Sequence, residues 1–253
     1  MKSMPVVLCA WLAVASAVMA STDPGQSFAQ AGVAYDAGRF AEAAQGYESI
    51  AGDGFAAREL YFNLGNARFK EGRIGDSVLG YRRAWMLAPR DPDTMANLAF
   101  ALQQAGAVPP DPPVLRKLAL RLSLREWIGT ATAAYWSGAV ALLACLVFPA
   151  RRAAMLRCAA VCGIVLAVAL AGTASWWDLQ RRPEAVVLAD RQQALFAPVE
   201  NSTPHFSLPA GSIVRIRESA GAWVKIKYGK DEGWIRRETC ASVYPFTPTD
   251  RPS

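Results

Sequence analysis

The sequence predicts a chain of several domains: an array of helical repeats, a hairpin of two membrane-spanning helices and a small all-β barrel. Three observations predict this fold class. Residues of the first half recur with a period of 34, two uncharged apolar runs follow, and short runs of alternating polarity begin near Glu184. Of the 253 residues, 53% are apolar, and most of these lie near residues 5–20, 128–149 and 158–177. This distribution excludes a purely soluble single domain.

Residues 1–20 have the pattern of a secretory signal peptide. Lys2 precedes an apolar stretch that ends in small residues before Ser21. The stretch is too short to span a bilayer comfortably, and an uncleaved amino-terminal anchor is the alternative. Whether the segment is removed stays open.

Residues 21–107 contain the helical repeats. Gly38 and Gly72 are 34 residues apart in the matching segments GRFAEAAQGYESI and GRIGDSVLGYRRA, and Gly106 continues the period. Together with Pro89, which closes the central unit, this pattern resembles the tetratricopeptide repeat.

The resemblance implies two and a half repeats. Residues 27–54 form a degenerate first repeat, residues 57–90 the best match, and residues 92–105 a capping helix. A single helical pair cannot cover its own apolar face, so neighbouring repeats must stack. We expect the following residues to be buried in that stack: Leu64, Ala67, Tyr81, Ala84 and Leu98.

The first helix of each repeat lines the concave side of such an array, which is the side that binds peptides. Asn66 and Asn97 lie where an amide could both donate to and accept from an extended main chain. The alternative is that these asparagines only tie neighbouring helices together. The candidate peptide-binding residues are Phe62, Asn66, Phe69, Lys70, Ala96, Asn97, Phe100 and Gln104.

Residues 108–127 form a Pro-rich linker followed by a basic segment. The sequence VPPDPP predicts a stiff extended spacer. Lys117, Arg121 and Arg125 then recur at helical spacing beside leucines, which predicts a basic amphipathic helix on the lipid surface. A plain extension of the following membrane helix is the alternative.

Residues 128–149 and 158–177 carry no charge, and each is long enough to span a bilayer as a helix. Because residues 150–157 are the only connection, both long flanks lie on one side, and Trp176 and Trp177 would lie in an aromatic belt. Counting positive charges does not decide the orientation. The signal pattern favours exported flanks and a cytoplasmic turn at 150–157.

Residues 184–246 contain short apolar runs bounded by turn residues: AVVLAD, ALFAPV, SIVRIRES, WVKIKYG and EGWIRRE. Five strands in so short a segment predict a small barrel. The spacing resembles bacterial SH3-like domains, in which Trp223 and Trp234 would form the candidate ligand surface. Packing in the core or at the rim is the alternative for both. Residues 247–253 read as a disordered tail.

No enzyme is predicted. Motifs for hydrolytic metals, phosphate loops and nucleophile elbows are absent, and His205, the single histidine, lies in a segment read as a loop. We therefore expect no catalytic residue, metal or cofactor. A net charge of +6 without a basic patch also indicates no nucleic-acid partner.

The order of these parts, with the segment LYFNLGNARFKEGRIGDSVLGYRRAWMLAPRDPDTMANL, resembles BatE-like proteins of the aerotolerance (Bat) family. The resemblance implies an inner-membrane, periplasm-facing scaffold. Its partners would be membrane proteins with von Willebrand A domains, in a system with a MoxR-type ATPase and a role in envelope stress. The alternative function is a membrane-tethered module that binds peptidoglycan.

Overall fold

The computed structural model describes residues 23–108, 114–181 and 184–244. The segment predicted as a signal peptide, the tail at 247–253 and most of the VPPDPP spacer lie outside the described residues. The chain divides into two compact units, Met1–Ala56 and Ala57–Ser253.

The first unit contains one pair of helices, α1 (Pro24–Asp36) and α2 (Phe40–Gly52). Asp23 caps α1 through a hydrogen bond from the Gly25 N–H, and Pro24 occupies the first turn, where its missing N–H costs nothing. Small residues allow the two helices to approach closely. The buried residues of the pair are Ala31, Ala34, Ala43, Ala44, Tyr47 and Ile50.

The second unit begins with α3 (Arg58–Lys70), α4 (Ile74–Leu87) and α5 (Pro92–Ala105). The first residues of α1, α3 and α5 are 34 apart, and the glycines after these helices all have positive φ. The helical array with the predicted period is therefore confirmed. The residues expected in the stack are also buried: Leu64, Ala67, Tyr81, Ala84 and Leu98.

The segment after the array was predicted as one amphipathic helix over residues 114–127 or as an extension of the membrane helix, and a continuous helix over this segment is wrong. A short helix α6 (Val114–Ala119) ends in a turn, and a new helix α7 (Leu124–Val147) begins after it. Ser123 and Glu126 form a capping box at this start, which fixes the break in the helix.

Two helices of this unit, α7 and α8 (Arg152–Arg181), are long and apolar enough to cross a membrane. A single 3₁₀ turn, Pro149–Arg151, joins them, so the connection is shorter than the predicted 150–157. The second span is correspondingly longer than the predicted 158–177.

The remaining residues form a seven-stranded antiparallel sheet, with two strands more than the sequence predicted. His205 lies in a strand, not in a loop. The strands are β1 (Glu184–Val187), β2 (Gln192–Leu195), β3 (Pro204–Leu208), β4 (Ile213–Ala220), β5 (Trp223–Tyr228), β6 (Asp231–Arg236) and β7 (Cys240–Ser242). The order β3-β2-β6-β5-β4-β1-β7 leaves β3 and β7 at the edges, so the sheet is open.

The sheet and the helices α4 and α5 share one apolar core. Strand β1 is buried on both faces, with one face toward the other strands and the other toward the helices. The helices contribute Val78, Leu79, Tyr81, Leu98, Ala101 and Leu102. The sheet contributes Val186 and Ile213, and Val243 joins them directly after β7. The sheet therefore covers the apolar face of α5, which has no further helix of its own repeat.

A buried ion pair crosses the same interface. The Arg82 Nη2 atom on α4 lies 2.6 Å from Glu184 Oε2 on β1, and both side chains are almost fully buried. The neighbouring Arg83 donates to the Ser242 carbonyl oxygen at 2.8 Å, which satisfies part of the edge strand β7. These contacts fix how the sheet is oriented on α4.

A second cluster, the joint, connects the array with the two long helices. The indole N–H groups of Trp127 and Trp176 donate to the carbonyl oxygens of Ala119 and Leu122, at 2.7 and 3.0 Å. Trp176 is only 2% exposed, so it is not a membrane-belt residue, whereas Trp177 is 58% exposed. The joint consists of Leu120 and Trp176 with Trp85, Met86, Leu124, Trp127 and Tyr244 around them.

Candidate functional site

The two candidate asparagines lie together, on neighbouring helices α3 and α5. Asn97 Nδ2 donates to Asn66 Oδ1 at 3.1 Å, and the Tyr81 hydroxyl donates to the same oxygen at 2.6 Å. Asn66 therefore joins three helices, as the alternative reading of these asparagines supposed. Within the described residues, Asn66 Nδ2 and Asn97 Oδ1 have no hydrogen-bond partner, so a donor group and an acceptor group are left for a ligand.

Aromatic rings flank these amides. The Phe69 and Phe100 ring centroids are 5.5 Å apart, across α3 and α5, and Phe100 is 50% exposed. Phe62 lies one turn before Asn66, and the centroids of the Phe62 and Tyr81 rings are 5.9 Å apart. These five residues define one surface, called here the α3/α5 face: Phe62, Asn66, Phe69, Asn97 and Phe100.

The remaining candidate residues lie at the margin of this face. Lys70 and Ala96 are exposed. Gln104 is also exposed, and it lines a cleft of about 660 Å³ between the start of α4 and the sheet. Gln104 therefore faces the junction with the sheet, which the sequence did not predict.

Charges at the other end of the face are neutralised within the protein. The Arg58 guanidinium lies 5.6 Å from the Phe62 ring centroid and pairs with both Glu59 and Asp91. Asp91 caps α5 by accepting from the Thr94 N–H at 2.8 Å. The hydrogen bond from the Thr94 hydroxyl, followed by smaller effects of the Thr94 N–H and of Arg58, lowers the pKa of Asp91 below its ordinary value. The face thus presents aromatic rings and amides with little net charge.

Trp223 and Trp234 lie on the outer face of the sheet. Trp223 is paired with Arg236 and Trp234 with Lys225, and residues directly opposite each other in antiparallel strands share a face. Both rings are half-buried. The Arg236 guanidinium lies 4.8 Å from the Trp223 ring centroid and also pairs with Glu200, so Trp223 is partly covered.

Sequence reasoning missed an aromatic contact beside Trp234. The ring centroids of Phe196 and His205 are 4.1 Å apart, and Phe196 is 60% exposed. Leu195 is paired with Trp234, which brings this contact close to the outer face. The contact could not be predicted because residues 204–208, which form β3, read as a loop.

Metal ligation and comparisons with known proteins add no further site. Within the ranges that the structure describes, no group of three or more His, Cys, Asp or Glu residues is placed to hold a metal ion. Comparison of the chain with family models, with curated proteins and with solved structures gave no match.

Proposed function

We propose that the protein is a membrane-anchored scaffold that holds an extended segment of another protein on its α3/α5 face. The observation that carries this proposal is the contact between the half-buried Phe69 and the exposed Phe100, beside the Asn66 and Asn97 amides. Rings bury apolar side chains of a partner, and the remaining amide donor and acceptor serve its main chain. The helical pattern with period 34 supports a tetratricopeptide-type array, the architecture in which this side binds peptides.

The partners and the location are proposed from sequence patterns. The resemblance to BatE-like proteins supports membrane proteins with von Willebrand A domains as partners, in a system with a MoxR-type ATPase. The apolar helices α7 and α8 support insertion into the inner membrane. The signal pattern in residues 1–20 supports a periplasmic location for the array and the sheet. In this assignment the protein binds and does not catalyse.

Phe100 provides the sharpest test of the α3/α5 face. Phe100→Ala removes half-exposed ring surface, so we expect at least a fivefold loss of crosslinked von Willebrand A domain protein in purifications of the full chain from mild detergent. Met95→Ala is the matched control because Met95 is also 50% exposed and lies elsewhere on α5. We expect Met95→Ala to leave capture unchanged.

Asn66→Ala is a poorer probe, since it also removes the acceptor that Tyr81 and Asn97 share. Circular dichroism of each variant reports whether the helical content is intact. Equal capture by wild-type protein and a folded Phe100→Ala variant would contradict binding at this face.

Peptidoglycan binding through the sheet is the second candidate function. Trp223, Trp234 and the exposed Phe196 support it, because an aromatic surface is suited to stacking on sugar rings. The resemblance to SH3-like domains supports the same assignment.

The test of wall binding requires the whole chain, because the sheet shares its core with α4 and α5. We expect Trp234→Ala to reduce co-sedimentation of the detergent-solubilised protein with purified sacculi. Phe100→Ala is the control that should leave sedimentation unchanged. Sedimentation equal to that of an unrelated membrane protein would eliminate this candidate.

A further inference from the structure

We propose that the protein binds anionic phospholipid headgroups at a basic collar around the joint. The collar is defined as Leu118, Arg121, Arg125 and Trp177. This inference rests on the membrane insertion proposed above and adds a lipid partner to it. The collar was outside the candidate sites because the sequence placed these cations on a separate surface helix.

The position of the collar follows from the start of α7. Arg125 lies three residues before Ile128, where the uncharged run begins, so it is about 4.5 Å from that point along the helix. The headgroup layer on each side of the hydrocarbon is about 5–8 Å thick. A cation at this distance from the hydrocarbon therefore lies at the depth of lipid phosphates.

Two cations of the collar are available to a ligand. Arg121 and Arg125 are both exposed, and neither has an ion-pair partner among the residues that the structure describes. The nearby carboxylate of Glu126 is already compensated, because it pairs with Arg90 and accepts from Ser123. The collar therefore keeps two uncompensated positive charges.

The other charged side chains that the structure describes near the collar do not cancel these two. Lys117 and Asp178 carry opposite charges, and both already interact within the protein. The positive charge of Lys117 and the negative charge of Asp178 add to zero, so they leave the net charge of the collar unchanged.

Apolar side chains place the same surface against lipid. Leu118 is 54% exposed, and Trp177 is exposed in the last turns of α8. A leucine, an indole and two unpaired arginines at the same end of the two long helices match an interface with hydrocarbon below and phosphate above. Because the joint holds α6 and both long helices through the Trp127 and Trp176 hydrogen bonds, the collar is a fixed surface.

Quenching of Trp177 tests the proposal. The full chain is reconstituted in phosphatidylcholine nanodiscs in which about 20 mol% of the lipid is brominated. The brominated lipid carries either a phosphatidylglycerol or a phosphatidylcholine headgroup. The Trp177 signal is the difference between the protein and its Trp177→Phe variant. A juxtamembrane cation enriches anionic lipid about fivefold. We therefore expect brominated phosphatidylglycerol to quench Trp177 about twofold more strongly than brominated phosphatidylcholine does.

The variant Arg121→Gln with Arg125→Gln should bring the two lipids to equal quenching. Its matched control is Lys230→Gln with Arg237→Gln, which removes the same charge from exposed positions of the sheet segment. The control should keep the preference for phosphatidylglycerol. A control that loses the preference equally would show a net-charge effect and overturn the collar.

Two further outcomes separate the proposals. Equal quenching of the unmodified protein by both brominated lipids overturns headgroup recognition while leaving membrane insertion intact. Quenching of Trp177 by neither lipid overturns both insertion in this register and the collar. The partner-binding α3/α5 face would be untouched by either result.

Discussion

The second unit contains two helical hairpins that use similar contacts in different surroundings. In α3 and α4, Gly65 lies against Tyr81 and Gly80 against the Gly65 backbone, so the helices pack closely. In α7 and α8, Gly138 faces Cys162 and Gly172 lies under the Trp127 ring. The first hairpin is then covered by α5 and the sheet, whereas the second exposes large apolar side chains along both helices. Both hairpins therefore pack closely, although protein covers only the first. Whether protein or lipid covers the outer apolar side chains determines whether a hairpin is stable in water or in a membrane.

The largest expected effect comes from breaking the protein cover of the α3 and α4 hairpin. Arg82→Met leaves the Glu184 carboxylate buried without its partner, which should destabilise the unit by about 3–5 kcal/mol. Urea unfolding of the full chain in detergent measures this loss. The double variant Arg82→Met with Glu184→Leu should recover most of it, because no buried charge then remains. A double variant as unstable as the single one would show that packing, not charge, causes the loss.

The glycine contacts give the next largest effect and a direct comparison of the two hairpins. A Cβ at Gly65 would lie 2.7 Å from the Tyr81 ring, so Gly65→Ala should cost about 1–3 kcal/mol. Gly163 on α8 has nothing within 4 Å of the same position. We expect Gly163→Ala to cause no loss of stability and to stabilise by up to about 1 kcal/mol, because alanine favours a helix more than glycine does. Thermal unfolding of both variants in the same detergent makes the comparison, and equal losses would contradict the described packing.

The smallest expected effect concerns the cap of α5, whose face binds the sheet. Asp91→Ala removes an N-cap and should cost about 1 kcal/mol near neutral pH. Because the folded-state pKa of Asp91 is lowered, its ionised form stabilises the fold above the unfolded pKa of about 3.9. That contribution is lost as the pH falls through the folded-state pKa.

Asp91→Asn is the control, because asparagine also caps helices but does not titrate. Denaturant unfolding at several pH values between neutral and acid compares the three proteins. Asp91→Asn should keep the helix cap but lose the contribution of the ionised carboxylate. Wild type should therefore lose stability relative to Asp91→Asn as the pH falls through the folded-state pKa of Asp91. Identical acid dependence would contradict the lowered pKa of Asp91.

The helices were predictable because their signals are local and repeated. The glycines at positions 38, 72 and 106 mark turns that need positive φ, and the uncharged runs exceed the length of a bilayer core. The break before Leu124 was missed, because the spacing of the basic residues indicated a continuous helix. The capping box at Ser123 instead starts a new helix at Leu124. A capping pattern, Ser123 followed by Glu126, was present in the sequence and could have indicated it.

The sheet was predictable only in part. Strand β3 begins with Pro204 and follows polar residues, so it lacks the alternation that identified the other runs. Hydrogen bonding to β2 gives β3 its extended conformation. Such pairing depends on the tertiary fold and not on the local sequence pattern. Strand β7, with three residues, is too short for any pattern.

The candidate site was predictable as a set of positions but not as a set of contacts. The period placed Phe69, Asn97 and Phe100 on one side of the array, where the structure has them together. The hydrogen bond from the Tyr81 hydroxyl to Asn66 Oδ1 depends on the distance between α3 and α4. That distance cannot be read from a single sequence. The docking of the sheet on α4 and α5 depends on residues that are far apart in the chain, such as Arg82 on α4 and Glu184 on β1.

The core shared by α5 and the sheet has a consequence for biosynthesis. The apolar face around Leu98 and Leu102 is made early, but Val186 and Ile213 follow only after both long helices. Contacts between such distant segments form slowly, so the face stays uncovered while the intervening chain is translated and placed. During that interval the uncovered apolar face favours aggregation. The sheet thus completes, late in translation, the folding of a helical array that precedes it in the chain.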